Sequence, residues 1–404
     1  MFDWSDEQIA IREAVRAFVD KEVRPLQDEL EHGDLAPYDL IRKYFKAFGV
    51  AEMNAEAFDT AIAKAEAVER GEAKPEKAKP RDPSMGFLSN MEFVKVSMGI
   101  PAAMGVSLGL AAGTINALGT IEQRKRWARD LMTFDKVGAW AITEPDSGSD
   151  AFGGMRTTVR KDGDEYVLKG QKTFITNGPY ADTIVVYAKL DDGSGTDRRD
   201  QPVLTFVLDS GMEGLTQGKP FKKMGMHSSP TGELFFDNVR LGEERLLRGK
   251  GADGRESAKS NFLIERVGIA SMALGIIEEC LRLSMDYAKT RVLWGKPIGD
   301  FQLIQLKLAE MEIARINTQN MVFKAMASFR GEVEIDLAEA SAMKLYSARA
   351  ATDVAMEAVQ LFGGNGYMAE YRVEQLARDA KSLMIYAGSN EVQVTHVAKG
   401  LLRR

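Results

Sequence analysis

The stretch "DEYVLKGQKTFITNG", Asp164–Gly178, decides how this chain is read. It is short, rich in aromatic and branched aliphatic residues, and closed by turn residues at both ends, the composition of a β-strand. The pattern recurs in "DTIVVYAKL" (182–190), "QPVLTFVLDS" (201–210) and "GELFFDNVRL" (232–241), with the polar "DDGSGTDRRDQ" (191–201) as a connection. Residues 136–250 therefore read as a small antiparallel β domain.

Helical patterns lie on both sides. In residues 1–135, "SDEQIAIREAVRAFVDKEV" (5–23) offers Ser5 as an N-cap before apolar residues near helical spacing. "PAAMGVSLGLAAGTINALG" (101–119) is a helix rich in Ala and Gly, open to close approach by another helix or a ligand. The charged, Pro-bearing "ERGEAKPEKAKPRDPS" (69–84) reads as a surface connection. Residues 251–404 are helical again, through "NFLIERVGIASMALGII" (261–277), "FQLIQLKLAEMEIARINTQNMVFKAMASF" (301–329) and "DLAEASAMKLYSARAATDVAMEAVQLF" (336–362). Helices, then strands, then helices make an α+β protein of three domains. Strands do not alternate with helices, which argues against a Rossmann domain, and "GGNGY" (363–367) is no dinucleotide fingerprint because it follows a helix rather than a strand.

Bulk properties narrow the function. Hydrophobic residues are 45% and charged residues 28%, ordinary for a globular chain. The net charge of -6 argues against a general nucleic-acid binder. One cysteine, Cys280, forbids an internal disulfide and points to an intracellular, cytoplasmic setting. The histidines His32, His227 and His396 have no metal-ligand spacing, so no metal site is expected. The start shows no targeting peptide, and no apolar run reads as a membrane span.

Polar, glycine-bearing stretches stand out against their neighbours: "WAITEPDSGSDAFGG" from Trp140, "KTFITNGPYAD" from Lys172 and "IYAGSNEVQ" from Ile385. A serine hydrolase reading of "SGSD" fails for want of a nucleophile elbow and a placed histidine. Taken with "RVLWGKPIGDFQ" (291–302), "QLFGGNGY" (360–367) and "RDAKSLMIYAGSNEVQ" (378–393), these segments resemble the acyl-CoA dehydrogenase family in order and spacing, over roughly residues 1–48 and 86–404. The resemblance implies an N-terminal helical domain, a middle β domain and a C-terminal four-helix bundle.

It also implies a chemistry. An acyl-CoA thioester loses its α-proton to a carboxylate and its β-hydrogen as hydride to N5 of FAD, giving a trans-2-enoyl-CoA, as in fatty acid β-oxidation. By the resemblance, Trp140, Ile142, Thr143, Phe174 and Thr176 lie around the flavin ring, and Gly148 and Ser149 where pyrophosphate and acyl-CoA pass. Arg291, Trp294, Gln302, Gln360 and Gly364 match positions that grip the ADP half of FAD across a subunit boundary, which implies a homo-oligomer, usually a tetramer. The family usually has Phe where this chain has the bulkier Trp294. Ser389 and Glu391 face the cofactor; Met104, Ser149, Arg266, Tyr386 and Gly388 face the substrate. An electron-transfer flavoprotein is the implied electron acceptor.

Most of the family carries its catalytic glutamate just before the Gly of "IYEGT"; this chain has Ala387 there. A smaller branch, which includes the isovaleryl-CoA and long-chain enzymes, places the acid in the helix that opens the bundle, before an arginine. Glu265–Arg266 stands at that place. Ala387 keeps the backbone N–H that hydrogen-bonds the thioester oxygen in the family. Glu265 is thus the candidate base, with burial expected to raise its pKa. The alternative for Glu265 is a structural ion pair. Glu391 is a rival acid nearby. Many relatives have Asp two residues before the glutamate, where this chain has Leu263. Small residues at Gly99, Pro101, Ala102, Ala103 and Gly105 suggest a deep or wide acyl cavity, with Met104 the largest side chain nearby. The alternative function is a flavin- or acyl-CoA-binding relative without dehydrogenase activity, for which Ala387 speaks; an oxidase on the same fold is a lesser one.

Overall fold

Ser5 opens the first helix as its composition requires. Its hydroxyl accepts from the N–H of Gln8 at 3.2 Å, and the Gln8 side chain accepts from the N–H of Ser5 at 3.1 Å. This reciprocal cap starts α1 (Asp6–Phe18). The structure, a computed structural model, describes residues 3–75, 82–248 and 254–402. In the N-terminal part α1 is followed by α2 (Val50–Glu69), α3 (Ser84–Phe93) and α4 (Gly99–Leu118), with shorter helices between. The connection expected at 69–84 is bracketed by α2 and α3, and its residues 76–81 lie outside the described ones. Helix α2 lies within the N-terminal region expected to be helical; its alanines favour helix and its Phe58 and Ile62 are buried, so it is a packed element.

The middle part is an eight-stranded sheet: β1 (Gly138–Ala141), β2 (Thr158–Asp162), β3 (Glu165–Thr176), β4 (Thr183–Leu190), β5 (Val203–Asp209), β6 (Leu215–Gln217), β7 (Thr231–Gly242) and β8 (Leu246–Leu247). Its order is β6-β7-β3-β2-β4-β5-β8, with β1 also on β4. Most pairings are antiparallel, as expected. However, β1 and β2 both run parallel to β4, because long connections rather than hairpins bring them there. Strand β4 reads "TIVVYAKL" with little alternation because both of its faces are covered. Val185 and Tyr187 pack in a cluster with Leu110, Ala111 and Ile115 of α4, while Ile184, Val186 and Ala188 belong to the core on the other face.

Helix α4 is long and apolar enough to cross a membrane by length and composition, contrary to the expectation of no such run. Its buried side packs against β1: Gly138 lies so close that a Cβ there would meet the Cβ of Ala111 at 2.8 Å. It is a core helix of this fold.

The C-terminal part contains α5 (Gly254–Thr290), α6 (Gln302–Phe329), α7 (Leu337–Phe362), α8 (Arg372–Ser382) and α9 (Asn390–Leu402). Helix α5 packs on α6 and α7, and α7 also receives α8 and α9. At about 1.5 Å per residue α5 is about 55 Å long. Its first turn lies against β5 of the sheet and its remainder lies in the bundle. The helix is therefore not buried throughout. Ile264 is exposed and Phe262, Leu263 and Glu265 are part-exposed, whereas Val267, Ile269, Leu274, Ile276 and Ile277 are buried. The open turn sits where the sheet gives way to the bundle.

An ionic knot joins the domains. Glu92 of α3 accepts from Arg12 at 2.8 Å and from Arg16 at 3.0 Å, and Arg12 reaches Glu278 of α5 at 2.5 Å. These cations, with Lys95, hold the buried Glu92 carboxyl down to about 2 against the cost of burial.

Candidate active site

Glu265 projects from the open turn of α5. Among the described residues no donor bonds its carboxylate; the charges of Arg266 and Lys344 reach it only through space. Burial therefore dominates and pushes its pKa up to about 7. The neighbouring Arg266 does not pair with it. Arg266 is buried, donates to Ser341 Oγ at 3.3 Å, and lies with its guanidinium carbon 5.9 Å from the Phe262 ring. This inward turn leaves Arg266 little surface for a CoA arm.

The segment "YAGSN" faces the same place. Ala387 has φ +55° and Gly388 has φ +82°. This is the left-handed region that costs an alanine about 1 kcal/mol or more. The Ala387 carbonyl accepts from Gln393 Nε2 at 3.0 Å, and the Gly388 carbonyl from Gln393 Nε2 at 2.7 Å and Lys344 Nζ at 2.8 Å. Among the described residues, no acceptor takes the Ala387 N–H. Tyr386 donates to Met272 Sδ at 3.5 Å, and burial, with the charge of Glu265, pushes its phenol up. Ala387, Ile269, Met272, Met98 and the partly buried Ala102 belong to one apolar cluster, the core of the bundle. Met104 belongs instead to the cluster of Tyr38, Ile100 and Phe134. Gly268, on the next turn of α5 after Glu265, has no atom within 4 Å of where a Cβ would stand.

The two polar motifs of the sheet lie side by side. The Thr173 N–H donates to the Thr143 carbonyl at 2.9 Å, and Lys172 Nζ donates to the Ile142 carbonyl at 3.0 Å and to Glu144 at 2.8 Å. Glu144 also accepts from the N–H groups of Arg156 at 2.6 Å and Thr157 at 2.9 Å. Although burial pushes its pKa up, Lys172 and these donors bring it below the ordinary carboxylate value. Burial draws Lys172 down to about 8. Phe174 is 67% exposed at φ +57°, in a register break of β3, beside Ile175 and Thr176. Among the described residues neither the Thr143 nor the Thr176 hydroxyl is engaged, and both are part-exposed. Gly148 and Ser149 are exposed, with no atom closer than 3.9 Å to a Cβ at Gly148. Free hydroxyls, an exposed aromatic and an open glycine turn fit the polar edge and phosphates of a flavin nucleotide.

Trp140 connects this surface to the bundle. It is buried, donates from Nε1 to Thr114 Oγ1 at 3.2 Å, and meets Phe262 edge-on with ring centroids 5.8 Å apart. Phe262 leads to Arg266, and a Cβ at Gly388 would stand 3.4 Å from Arg266 Nη2. The motifs of sheet and bundle thus converge at the foot of α5. Arg291, Trp294, Gln302, Gln360 and Gly364 are not brought to this point. All are exposed, Trp294 at 87%, around the hairpin between α5 and α6. Ser389 and Glu391 stand at the start of α9. Glu391 is exposed, and its own N–H and the Ser389 hydroxyl draw its pKa down, the opposite of a poised base.

Sequence reasoning missed Lys344, Gln393 and Asn177 as supports. Asn177, at φ +65°, donates from Nδ2 to the carbonyls of Ala103 and Gly138, each at 2.9 Å, and accepts from Tyr38 Oη at 3.2 Å, tying α4 to β1. Asn177 and Gln393 were inside quoted motifs; the partners of Asn177 are remote in sequence, whereas Gln393 folds back on carbonyls five and six residues earlier in its own motif.

Three family models cover most of the chain: acyl-CoA dehydrogenase N-terminal domain at residues 5–63, middle domain at 139–239 and C-terminal domain at 252–402. The chain is 35% identical over 398 residues to an acyl-CoA dehydrogenase of Bacillus subtilis (strain 168), covering 98% of each. It is 32% identical over 403 residues to a subunit of the caffeyl-CoA reductase-Etf complex of Acetobacterium woodii, covering 99% of this chain and 100% of that one. Among solved structures, butyryl-CoA dehydrogenase from Megasphaera elsdenii superposes with a TM-score of 0.81 at 33% identity, covering 100% of both chains.

Proposed function

Because this chain belongs to the acyl-CoA dehydrogenase family, an FAD-dependent group of oxidoreductases, we propose that it desaturates an acyl-CoA thioester between Cα and Cβ with Glu265 as the base. The observation that carries this reading is the state of Glu265: part-exposed at the open turn of α5, without a hydrogen-bond donor among the described residues, and pushed up to about 7 by desolvation. Such a carboxylate is costly to the fold and well matched to taking a proton near neutral pH.

The substrate's α-carbon lies beside Glu265, with the acyl chain over Ile269, Met272, Met98 and Ala102 and into the space at Gly268. The thioester oxygen accepts from the Ala387 N–H, which stabilises the enolate-like charge as the proton leaves. Thr143 and Thr176 would hold the polar edge of FAD, which would supply the acceptor for the hydride that leaves the β-carbon. The methyl of Ala387 leaves room for the carboxylate from α5. The product is a trans-2-enoyl-CoA, and an electron-transfer flavoprotein is the proposed acceptor of the electrons.

We extend the proposal to a homo-oligomer in a cytoplasmic setting. Leu303, Leu306, Ile313 and Ile316 of α6 are exposed apolar residues, and the Arg291–Gln302 segment stands open beside them, where a second subunit would complete the ADP site. The direct test is anaerobic mixing of the FAD-loaded protein with short, long, branched and cyclic acyl-CoAs while following the flavin's visible absorption. Bleaching by one class supports the reading and names the substrate. No bleaching by any of them, with FAD bound, contradicts it.

A further inference from the structure

We propose that Lys344 and Gln393 are positioning residues that lock the Ala387–Gly388 turn from behind and so aim the Ala387 N–H into the cleft beside Glu265. The inference rests on the reading of the site given above. Two successive residues at positive φ do not hold themselves: the alanine would relax to an ordinary conformation unless its surroundings over-determine it. The surroundings do so through the carbonyls. Gln393 Nε2 bonds those of both Ala387 and Gly388, and Lys344 Nζ bonds that of Gly388 at 2.8 Å. Those oxygens belong to the Ala387–Gly388 and Gly388–Ser389 peptide planes, which therefore cannot flip; the Ala387 N–H lies in the preceding Tyr386–Ala387 plane, which follows from the held Ala387 at φ +55°, and among the described residues no acceptor takes it.

Lys344 is an unusual clamp. Its side chain is fully buried, yet its bonded partners are neutral, the Gly388 carbonyl and Asn390 Oδ1 at 3.1 Å. A buried ammonium of purely structural use is normally paired with a carboxylate. The charged groups that face it are Glu265 and Arg266 from α5 and Glu391 from α9. The cation therefore does two things: it fixes the turn and it spreads positive potential over the place where Glu265 ionises and the thioester oxygen gains charge. Gln393 fixes the turn without a charge.

The test uses the FAD-loaded enzyme and an arylacryloyl-CoA, whose absorption moves to the red when its thioester carbonyl is polarised by a hydrogen-bond donor. Wild type is expected to red-shift the probe. Lys344→Met and Gln393→Leu are each expected to lose at least about half of that shift. Each should also slow flavin reduction by about 10- to 100-fold, with KM for acyl-CoA changed less than about 3-fold. Lys344→Met alone should move the pH dependence of reduction upward, because a cation facing Glu265 is gone. Gln393→Leu removes the clamp without touching the buried cation, so it decides the question where Lys344→Met does not fold. A full red shift and wild-type reduction in Gln393→Leu would overturn the inference while leaving the reading of the site intact. A wild type that neither shifts the probe nor bleaches with any acyl-CoA would overturn the reading itself.

Discussion

Two interior glutamates, Glu144 in the sheet and Glu265 in the bundle, show how the same side chain is put to opposite uses. Glu144 is met by an ammonium and two backbone N–H groups within 2.9 Å, and its pKa falls. Glu265 is met by no donor among the described residues, and its pKa rises to about 7. Satisfied, a buried carboxylate holds a fold together: Glu144 joins its own loop to the residues that lead into β2 and, through Lys172, to the later part of β3. Left unsatisfied, it is a base waiting for a proton. The difference comes from the supporting elements. Glu144 sits in a polar loop beside Lys172, whereas Glu265 leaves an apolar helix whose adjacent Arg266 is turned toward Ser341, and Lys344 reaches it only through space.

The largest effect that could break this contrast is kinetic. Glu265→Gln should retain FAD and bind acyl-CoA but lose at least about 10²–10⁴-fold in the rate of flavin reduction, measured by anaerobic stopped flow. Near-normal reduction would show that Glu265 is not the base. Glu144→Gln should act on stability instead. It leaves Lys172 buried without its carboxylate and should cost about 3 kcal/mol in denaturant unfolding; a cost near zero would show that the pair is dispensable.

Glu265→Gln should also separate the two sites by pH. A carboxyl raised from 4.5 to about 7 contributes stability that is full below about pH 4.5 and is lost as pH rises through about 7. Above that window Glu265→Gln should be more stable than wild type, by up to about 3 kcal/mol, and below it the two should coincide. Equal melting temperatures at pH 8 would mean that Glu265 has an unseen partner. The smallest effect belongs to Glu391. Exposed and drawn down by its local bonds, it should tolerate Glu391→Gln with less than about a threefold change in reduction rate. A loss as large as that at Glu265 would move the base to α9.

The chain's composition made some of this legible. Strands such as Val203–Asp209 were marked by β-branched and aromatic runs, and the cap at Ser5 by its residue type. The elements that escaped had weak local signals. Gly138–Ala141 is a strand made largely of small residues, Thr158–Asp162 is mostly polar, and Val50–Glu69 buries only Phe58 and Ile62 among many alanines. Each is held by partners distant in sequence, as β1 is by β4. The same holds at the site. Glu265 was found through the Glu-Arg pair that matches the smaller branch of the family, but nothing local marks Lys344, whose partners Gly388 and Asn390 lie 44 and 46 residues away. Met104 was named because it lies on the right helix, and only the helix's rotation sends it elsewhere while Ala102 faces Ala387's cluster.

The most direct measurement is the pH dependence of flavin reduction by a saturating acyl-CoA under anaerobic conditions, in wild type and in Glu265→Gln. The account predicts a rate that climbs through an inflection near pH 7 in wild type, and a residual rate without that inflection in the variant. An inflection near the ordinary carboxylate value, or the same profile in both proteins, would contradict it.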